Sequence, residues 1–460
     1  MRRPVTPLLA PLFLPLFIAA CSDDPGEQPP PPTADILDQL LAIEGMTVEE
    51  HVSSIEGYRY FVLEYQQPAD HDAPDGQRFT QRMALHHRDA SAPFVLGSSG
   101  YFINSTFQQI REPAQLLGAN QLQVEHRFFD PSRPEPTDWS LLTIEQAAAD
   151  HHRIVEALRP IYSGKWISTG GSKGGMTSIY HRRFFPDDVD GTVAYVAPHS
   201  YGIPDPRYLD FVASLGEPDC RQRLQGFQRE VLLRRPAMLA RMATQAEADG
   251  LSYDLLGAEE ALDVTAVEFV FGFWQYFDAS QCENIPDQAA TDDEIWAFLD
   301  EIVPTKQWAD HMTVAYEPYY WQAATQLGYP AVEEAHLADL LLHPKFDVPT
   351  SFVLPGPGKD PVFDSGAMED ITGWLSAEGE RILLIYGQND PYTAAAFELG
   401  GAKDAYRFIV PGGNHGARIL DLPENDRGVA LDALEAWTGV APVLPPPQTI
   451  TISPAERWPL

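Results

Sequence analysis

Positive charge is scarce in this chain. Its 460 residues carry 31 Lys and Arg against 66 Asp and Glu, a formal net charge of -35. Nucleic-acid binding needs basic patches that neutralise phosphates, so no nucleic-acid partner is expected. Metal signatures are missing too: the His pairs at 86–87 and 151–152 lack a spacing such as H-E-x-x-H and read as half-buried edge or helix positions. The sequence contains no P-loop and no dinucleotide glycine fingerprint, so neither a metal nor a cofactor is expected. No repeat emerges at solenoid periods. Cysteine is nearly absent, with only Cys21, Cys220 and Cys282.

What is present is a large apolar inventory. Hydrophobic residues make up 44% and aromatics 11%, enough for an extensive core and too much for a disordered chain. The N-terminus places Arg2 and Arg3 before an apolar stretch too short and too Pro-broken to span a membrane. It ends in Ala19 and Ala20 before Cys21, which resembles a bacterial lipobox whose cysteine is lipidated. An ordinary signal peptide cut nearby is the alternative, and both imply export. Residues 1–20 are then a signal peptide and 21–34 an acidic, Pro-rich tether to the membrane. The acidic balance fits solubility outside the cell, and its field could also draw cationic ligands such as peptide N-termini. In an oxidising compartment Cys220 and Cys282 form an even pair. A disulfide between them would close a loop of roughly 60 residues, worth about 4 kcal/mol on chain-entropy grounds.

The texture of the chain changes twice. From 35 to about 200, strand-like runs ("YRYFVLEYQQP", "RFTQRMALHHRD", "APFVLGSSGYF", "NQLQVEHRFF", "KWIST", "GTVAYVAPHS") mix with helical patterns. The clearest helix follows Thr143, an N-cap with Gln146 placed for a capping box, and carries Ile144, Ala147, Ala148, His151, Ile154, Val155 and Leu158 on one face. Residues 201–344 read as helices, including "RQRLQGFQREVLLRRPAMLARMATQAEADG" and "AVEEAHLADLLL". Strands return in "ERILLIYGQNDPYT" and "AYRFIVPGGNHG", a helix closes near 439, and 442–460 is a Pro-rich tail. The expected architecture is α/β: a mostly parallel sheet in two parts, 35–200 and 345–441, interrupted by a helical cap.

The chemistry lies in "KWISTGGSKGGMTSIYHRRF". Gly170, Ser172 and Gly174 fit G-x-S-x-G between a strand and a helix, the context of a nucleophile elbow rather than a plain turn. Such a serine needs a base oriented by a carboxylate. In the α/β-hydrolase order Ser, Asp, His, those partners are Asp390, just past an apolar strand, and His415, on the glycine-rich loop after the next one. Asp404 lies too far from the strand end, and His199 precedes any suitable Asp and reads as a wall or packing residue. One oxyanion donor is expected from the backbone of Lys173, the other from backbone N–H groups of Gly100 or Tyr101 in "LGSSGYF".

Together "EHRFFDPSRP", "LTIEQAAADHHRIVEAL", "STGGSKGGMT", "GQNDPYT" and "GGNHGARI" resemble the secreted bacterial tripeptidyl aminopeptidases, also called prolyl tri- or tetrapeptidyl aminopeptidases. The resemblance spans roughly 40 to 435. It implies an α/β-hydrolase fold and release of short peptides from free N-termini, often after proline. By the same resemblance Ser172 is the nucleophile, Asp390 the orienter and His415 the base. Glu125 falls in a segment beside the active site, where its carboxylate would meet a substrate ammonium or pair with Arg127. The lipobox departs from the freely secreted pattern of the family. Two competing readings share the scaffold: a lipase or esterase using the same three residues, and a surface binding lipoprotein without activity.

Overall fold

The computed structural model describes Met1 and residues 34–445. The signal peptide, Cys21 and all but the last residue of the tether lie outside the described residues, as does the tail from 446 onward.

Nine strands form one sheet: β1 (Met46–His51), β2 (Arg59–Pro68), β3 (Arg78–His87), β4 (Phe94–Ser98), β5 (Asn120–Val124), β6 (Trp166–Gly171), β7 (Gly191–Tyr195), β8 (Glu380–Gly387) and β9 (Lys403–Val410). Their spatial order is β1-β2-β3-β5-β4-β6-β7-β8-β9. The pairs β1–β2, β2–β3 and β3–β5 are antiparallel; the remaining pairs are all parallel. β4 and β7 are buried at every position, as a parallel strand covered on both faces requires. β1 gave no sequence signal, because its MTVEEH run buries only Met46 and is otherwise an edge of polar side chains.

Among the described residues, twelve α-helices accompany the sheet. Before and between the first seven strands lie α1 (Ile36–Leu41), α2 (Glu112–Leu117), α3 (Ile144–Leu158) and α4 (Lys173–Phe184). On α3, Thr143 accepts the Gln146 N–H at 3.2 Å, and all seven residues of the expected face are buried. The second half of the capping box is not made: Gln146 Oε1 accepts the His71 N–H at 2.9 Å instead.

After β7 the chain leaves the sheet for a helical cap: α5 (Arg207–Ser214), α6 (Pro218–Leu233), α7 (Arg235–Asp249), α8 (Ala258–Tyr276), α9 (Asp292–Ile302) and α10 (Asp310–Gln322). Its core joins Leu224, Phe227, Val231, Phe269, Phe273 and Leu299, and a Cys220–Cys282 disulfide ties α6 to the turn after α8. The long run read as helical forms two helices, α6 and α7, parted at Arg234 because Pro236 suits only the first turn of α7. "AVEEAHLADLLL" is a helix only at the 3-10 turn Ala335–Leu337. Pro330 and Pro344 bracket it, and the Asp263 carboxylate holds the N–H groups of Leu342 and His343 out of helical register. The chain returns through α11 (Ser365–Glu378), whose Met368, Ile371 and Leu375 pack on Ile382 and Leu384 of β8. α12 (Glu424–Thr438) closes the core.

Sequence order reverses around β4: the chain steps to β5 on one side and β6 on the other. That switch point, outside the carboxyl ends of the parallel strands, is where an open α/β sheet offers a crevice.

Candidate active site

Four strand ends deliver the expected residues to that crevice: β4 leads to Gly100 and Tyr101, β6 to Ser172, β8 to Asp390 and β9 to His415. Ser172 stands between β6 and α4 with φ 52° and ψ -126°, a conformation that costs a non-glycine residue about 1–3 kcal/mol and recurs at functional sites. Its N–H is tied to the Tyr195 carbonyl at 2.9 Å. The turn is tight enough that a Cβ on Gly170 would lie 2.3 Å from the Gly174 carbonyl, and one on Gly174 would lie 2.3 Å from the Ser98 carbonyl. This is why the serine is flanked by glycine. Ser172 remains partly exposed above the sheet and heads the N-terminus of α4, whose first N–H groups carry positive potential.

Asp390 is fully buried and divides its carboxylate between two donors. Oδ1 accepts the Tyr392 N–H at 3.1 Å, and Oδ2 accepts Nδ1 of His415 at 2.8 Å. With Nδ1 donating, Nε2 of His415 carries the lone pair that can take a proton. The ring is fixed by the His415 N–H bond to the Gln275 carbonyl at 2.9 Å, and by Tyr392 and Tyr276 at 5.0 and 6.0 Å between centroids. The rivals are occupied elsewhere: Asp404 accepts the Trp437 indole N–H at 2.6 Å, and buried His199 bonds Thr372 and stacks on Phe397.

The Gly100 loop presses on the elbow, since a Cβ on Gly100 would lie 2.5 Å from the Gly174 nitrogen. One detail departs from expectation. The Tyr101 N–H already bonds Ser99 Oγ at 3.2 Å, whereas the Tyr101 phenol lies close enough to the Ser172 side chain to interact with it. Burial pushes that phenol well above its ordinary pKa, so it stays protonated and a donor. The Lys173 side chain, expected only to carry a backbone donor, is buried and reaches the Gly100 carbonyl with Nζ at 2.6 Å, between the rings of Tyr101 and Phe129. Burial alone lowers its pKa well below the usual lysine value.

Glu125 is placed differently from both expectations. It is fully buried and accepts from Arg82, from the Ile103 N–H at 2.9 Å and from Ser132 Oγ at 2.7 Å. Arg127 instead grips Asp150, at 2.7 and 2.8 Å. Glu125 thus pins the loop that carries Tyr101. Sequence reasoning also missed the tyrosines around the site, Tyr316, Tyr319, Tyr320 and Tyr392. "YEPYYW" carried that signal, but sits on α10, where aromatic residues at helical spacing read as core. Among the described residues no group of three acidic, His or Cys side chains is placed to hold a metal ion.

An elbow serine, a buried His–Asp couple and donors converging from a second loop, on a mostly parallel sheet with a helical cap, define an α/β-hydrolase-fold serine hydrolase. Residues 29–452 match the PS-10 peptidase S37 family, and the chain belongs to it: it is a serine peptidase. It is 42% identical over 417 residues to the prolyl tri/tetrapeptidyl aminopeptidase of Streptomyces mobaraensis, covering 89% of this chain and 86% of that protein. It is 26% identical over 206 residues to the putative serine protease F56F10.1 of Caenorhabditis elegans, covering 40% and 37%.

Proposed function

We propose that this peptidase releases tripeptides, often with proline before the cut, from free N-termini. Ser172 Oγ attacks the scissile carbonyl while Nε2 of His415 takes its proton; Asp390 holds the imidazole and stabilises its charged form. The oxyanion rests on the Lys173 N–H, the Gly100 loop and the Tyr101 phenol. His415 then protonates the leaving amine, and water releases the peptide from the acyl-enzyme. The observation that carries the reading is the end-to-end likeness to a prolyl tri/tetrapeptidyl aminopeptidase with the His–Asp couple intact.

In this reading Glu125 serves the loop and not the substrate. The protein works outside the cytoplasm on a lipid at Cys21, an assignment supported by the lipobox pattern and by the Cys220–Cys282 bridge, a bond of oxidising compartments. The deciding experiment is hydrolysis of Ala-Ala-Pro-p-nitroanilide with free and with blocked N-terminus, by wild type and Ser172→Ala. Cleavage of the free form alone, lost in the variant, is the expected result. Turnover of a short acyl ester without either peptide would make it an esterase.

A further inference from the structure

Two carboxylates in the cap face one another without a cation. Glu268, on α8, and Asp347, on the loop after α10, share one phenol: the Tyr329 hydroxyl lies 3.0 Å from Asp347 Oδ1 and 3.4 Å from Glu268 Oε1. A single O–H cannot satisfy both acceptors. Asp347 is only 7% exposed, and its Oδ2 has no hydrogen-bond partner at all. Every other strongly buried carboxylate of this region has a stated counterpart: Asp263 has Arg235 and Glu317 has Lys359. Burial, then the charge of Asp347, raises Glu268 well above the ordinary glutamate range; burial also raises Asp347. Two adjacent buried charges of one sign are costly until a cation joins them.

The pair sits within reach of the reacting atoms. Tyr319 lies within electrostatic range of both carboxylates and of Tyr101, with 5.8 Å between the Tyr319 and Tyr101 rings, and Tyr101 lies beside Ser172. The distance can be gauged along α8. Gln275, whose carbonyl holds His415, follows Glu268 by seven residues, two turns on one helix face, a rise of about 10 Å. An extended chain of three residues also spans about 10 Å. The two lengths match: three extended residues equal the separation between the turn of α8 that holds His415 and the turn that carries Glu268.

We infer that Glu268 and Asp347 bind the α-ammonium group of the substrate and set the length of the released peptide. The inference rests on the exopeptidase reading above. The ammonium supplies three N–H donors where one phenol supplies one, and the neighbouring Tyr319 and Tyr320 add phenol oxygens that can accept from it.

The test compares Ala-Pro-, Ala-Ala-Pro- and N-succinyl-Ala-Ala-Pro-p-nitroanilide on wild type, Glu268→Gln and Asp347→Asn. A fluorophosphonate probe checks in each variant that Ser172 is folded and reactive. Wild type is expected to favour the free over the blocked tripeptide at least 100-fold in kcat/KM, and the free tripeptide over the dipeptide at least 10-fold. Either amide variant that labels with the probe should lose at least 10-fold of the free-over-blocked preference, through KM more than kcat. A probe-reactive variant that keeps the full preference overturns the inference and leaves the exopeptidase reading standing. So does a wild type that prefers free N-termini but cleaves the dipeptide as well as the tripeptide, whatever the variants do. A wild type indifferent to blocking overturns the exopeptidase reading, and the inference with it.

Discussion

The side chain of Lys173 turns back from the first residue of α4 to the carbonyl of Gly100, 2.6 Å away. The residue after the nucleophile thus fastens the loop that faces it. Burial with no carboxylate partner is costly for a lysine, so its gain must lie in positioning the Gly100–Tyr101 peptide. Lys173→Met is expected to lower kcat about 10- to 100-fold, with KM within about two-fold and the melting temperature equal or higher. Steady-state kinetics beside thermal melting check this. An unchanged kcat with a lowered melting temperature would make the lysine purely structural.

The Tyr101 phenol presents a second test of the same loop. Its backbone N–H is engaged by Ser99 Oγ, so the group of Tyr101 that can meet a developing oxyanion is the hydroxyl that lies beside Ser172. Tyr101→Phe keeps the ring packing against Phe129, Tyr316 and Tyr319 and removes only that donor. The expected loss is about 100-fold in kcat, the size seen when one oxyanion donor is deleted. A loss below three-fold would return the role to backbone groups alone.

Glu125 carries a prediction that separates loop support from substrate recognition. Its carboxylate is shared among Arg82, Ser132 and Ile103. Glu125→Gln breaks the charge-assisted part of that network and is expected to cost about 1–3 kcal/mol of stability, read by denaturant unfolding. The preference for free over blocked peptides should survive in the folded fraction. Loss of that preference without loss of stability would reinstate Glu125 as the ammonium ligand.

These residues show where the sequence was legible. The elbow, Asp390 and His415 could be read because each follows an apolar strand and stands in a glycine-marked turn, so local pattern and chemistry coincide. The buried face of α3 was legible for the same reason, since its period matches its environment. Glu125 was misjudged because its partners Arg82 and Ser132 come from other segments. Glu268 and Asp347 were invisible because an acidic residue on a helix or in a loop looks like any solvated position. Only tertiary packing, through Tyr329, joins positions 79 residues apart. β1, a polar edge, carried no period to find.

The cap offers a test of its own staple. Cys220 and Cys282 are bonded across 62 residues, with most of α6 and all of α7 and α8 inside the loop. Constraining a loop of that length in the unfolded chain contributes about 4 kcal/mol. The double variant Cys220→Ala, Cys282→Ala should therefore unfold earlier in urea, and reduction of wild type with dithiothreitol should shift it similarly. Because the bridge joins cap elements only, tryptophans of the cap such as Trp274 are expected to report the loss before β-sheet circular dichroism does. Coincident transitions in the variant would show cap and sheet unfolding as one unit.

Acid sensitivity follows from His151, on the buried face of α3. Its Nδ1 donates to the Ala147 carbonyl at 2.8 Å, and Nε2 accepts from Ser98 Oγ at 3.1 Å. Both nitrogens are satisfied in the neutral ring, so burial faces no unmet bond until the ring is charged. Burial, aided by the neighbouring His181, lowers its pKa to about 4 from the 6.5 of an unfolded histidine. Between these values the unfolded chain binds the extra proton and the native one does not, so stability rises with pH. The contribution is complete above pH 6.5 and drains away as pH falls toward 4, about 3 kcal/mol in all. Urea unfolding measured from pH 8 to pH 4 should show that slope, and His151→Gln, which keeps a donor and an acceptor but cannot charge, should flatten it by about one proton. A variant with the wild-type slope would place the acid-labile group elsewhere, with buried His86 and His199 next in line.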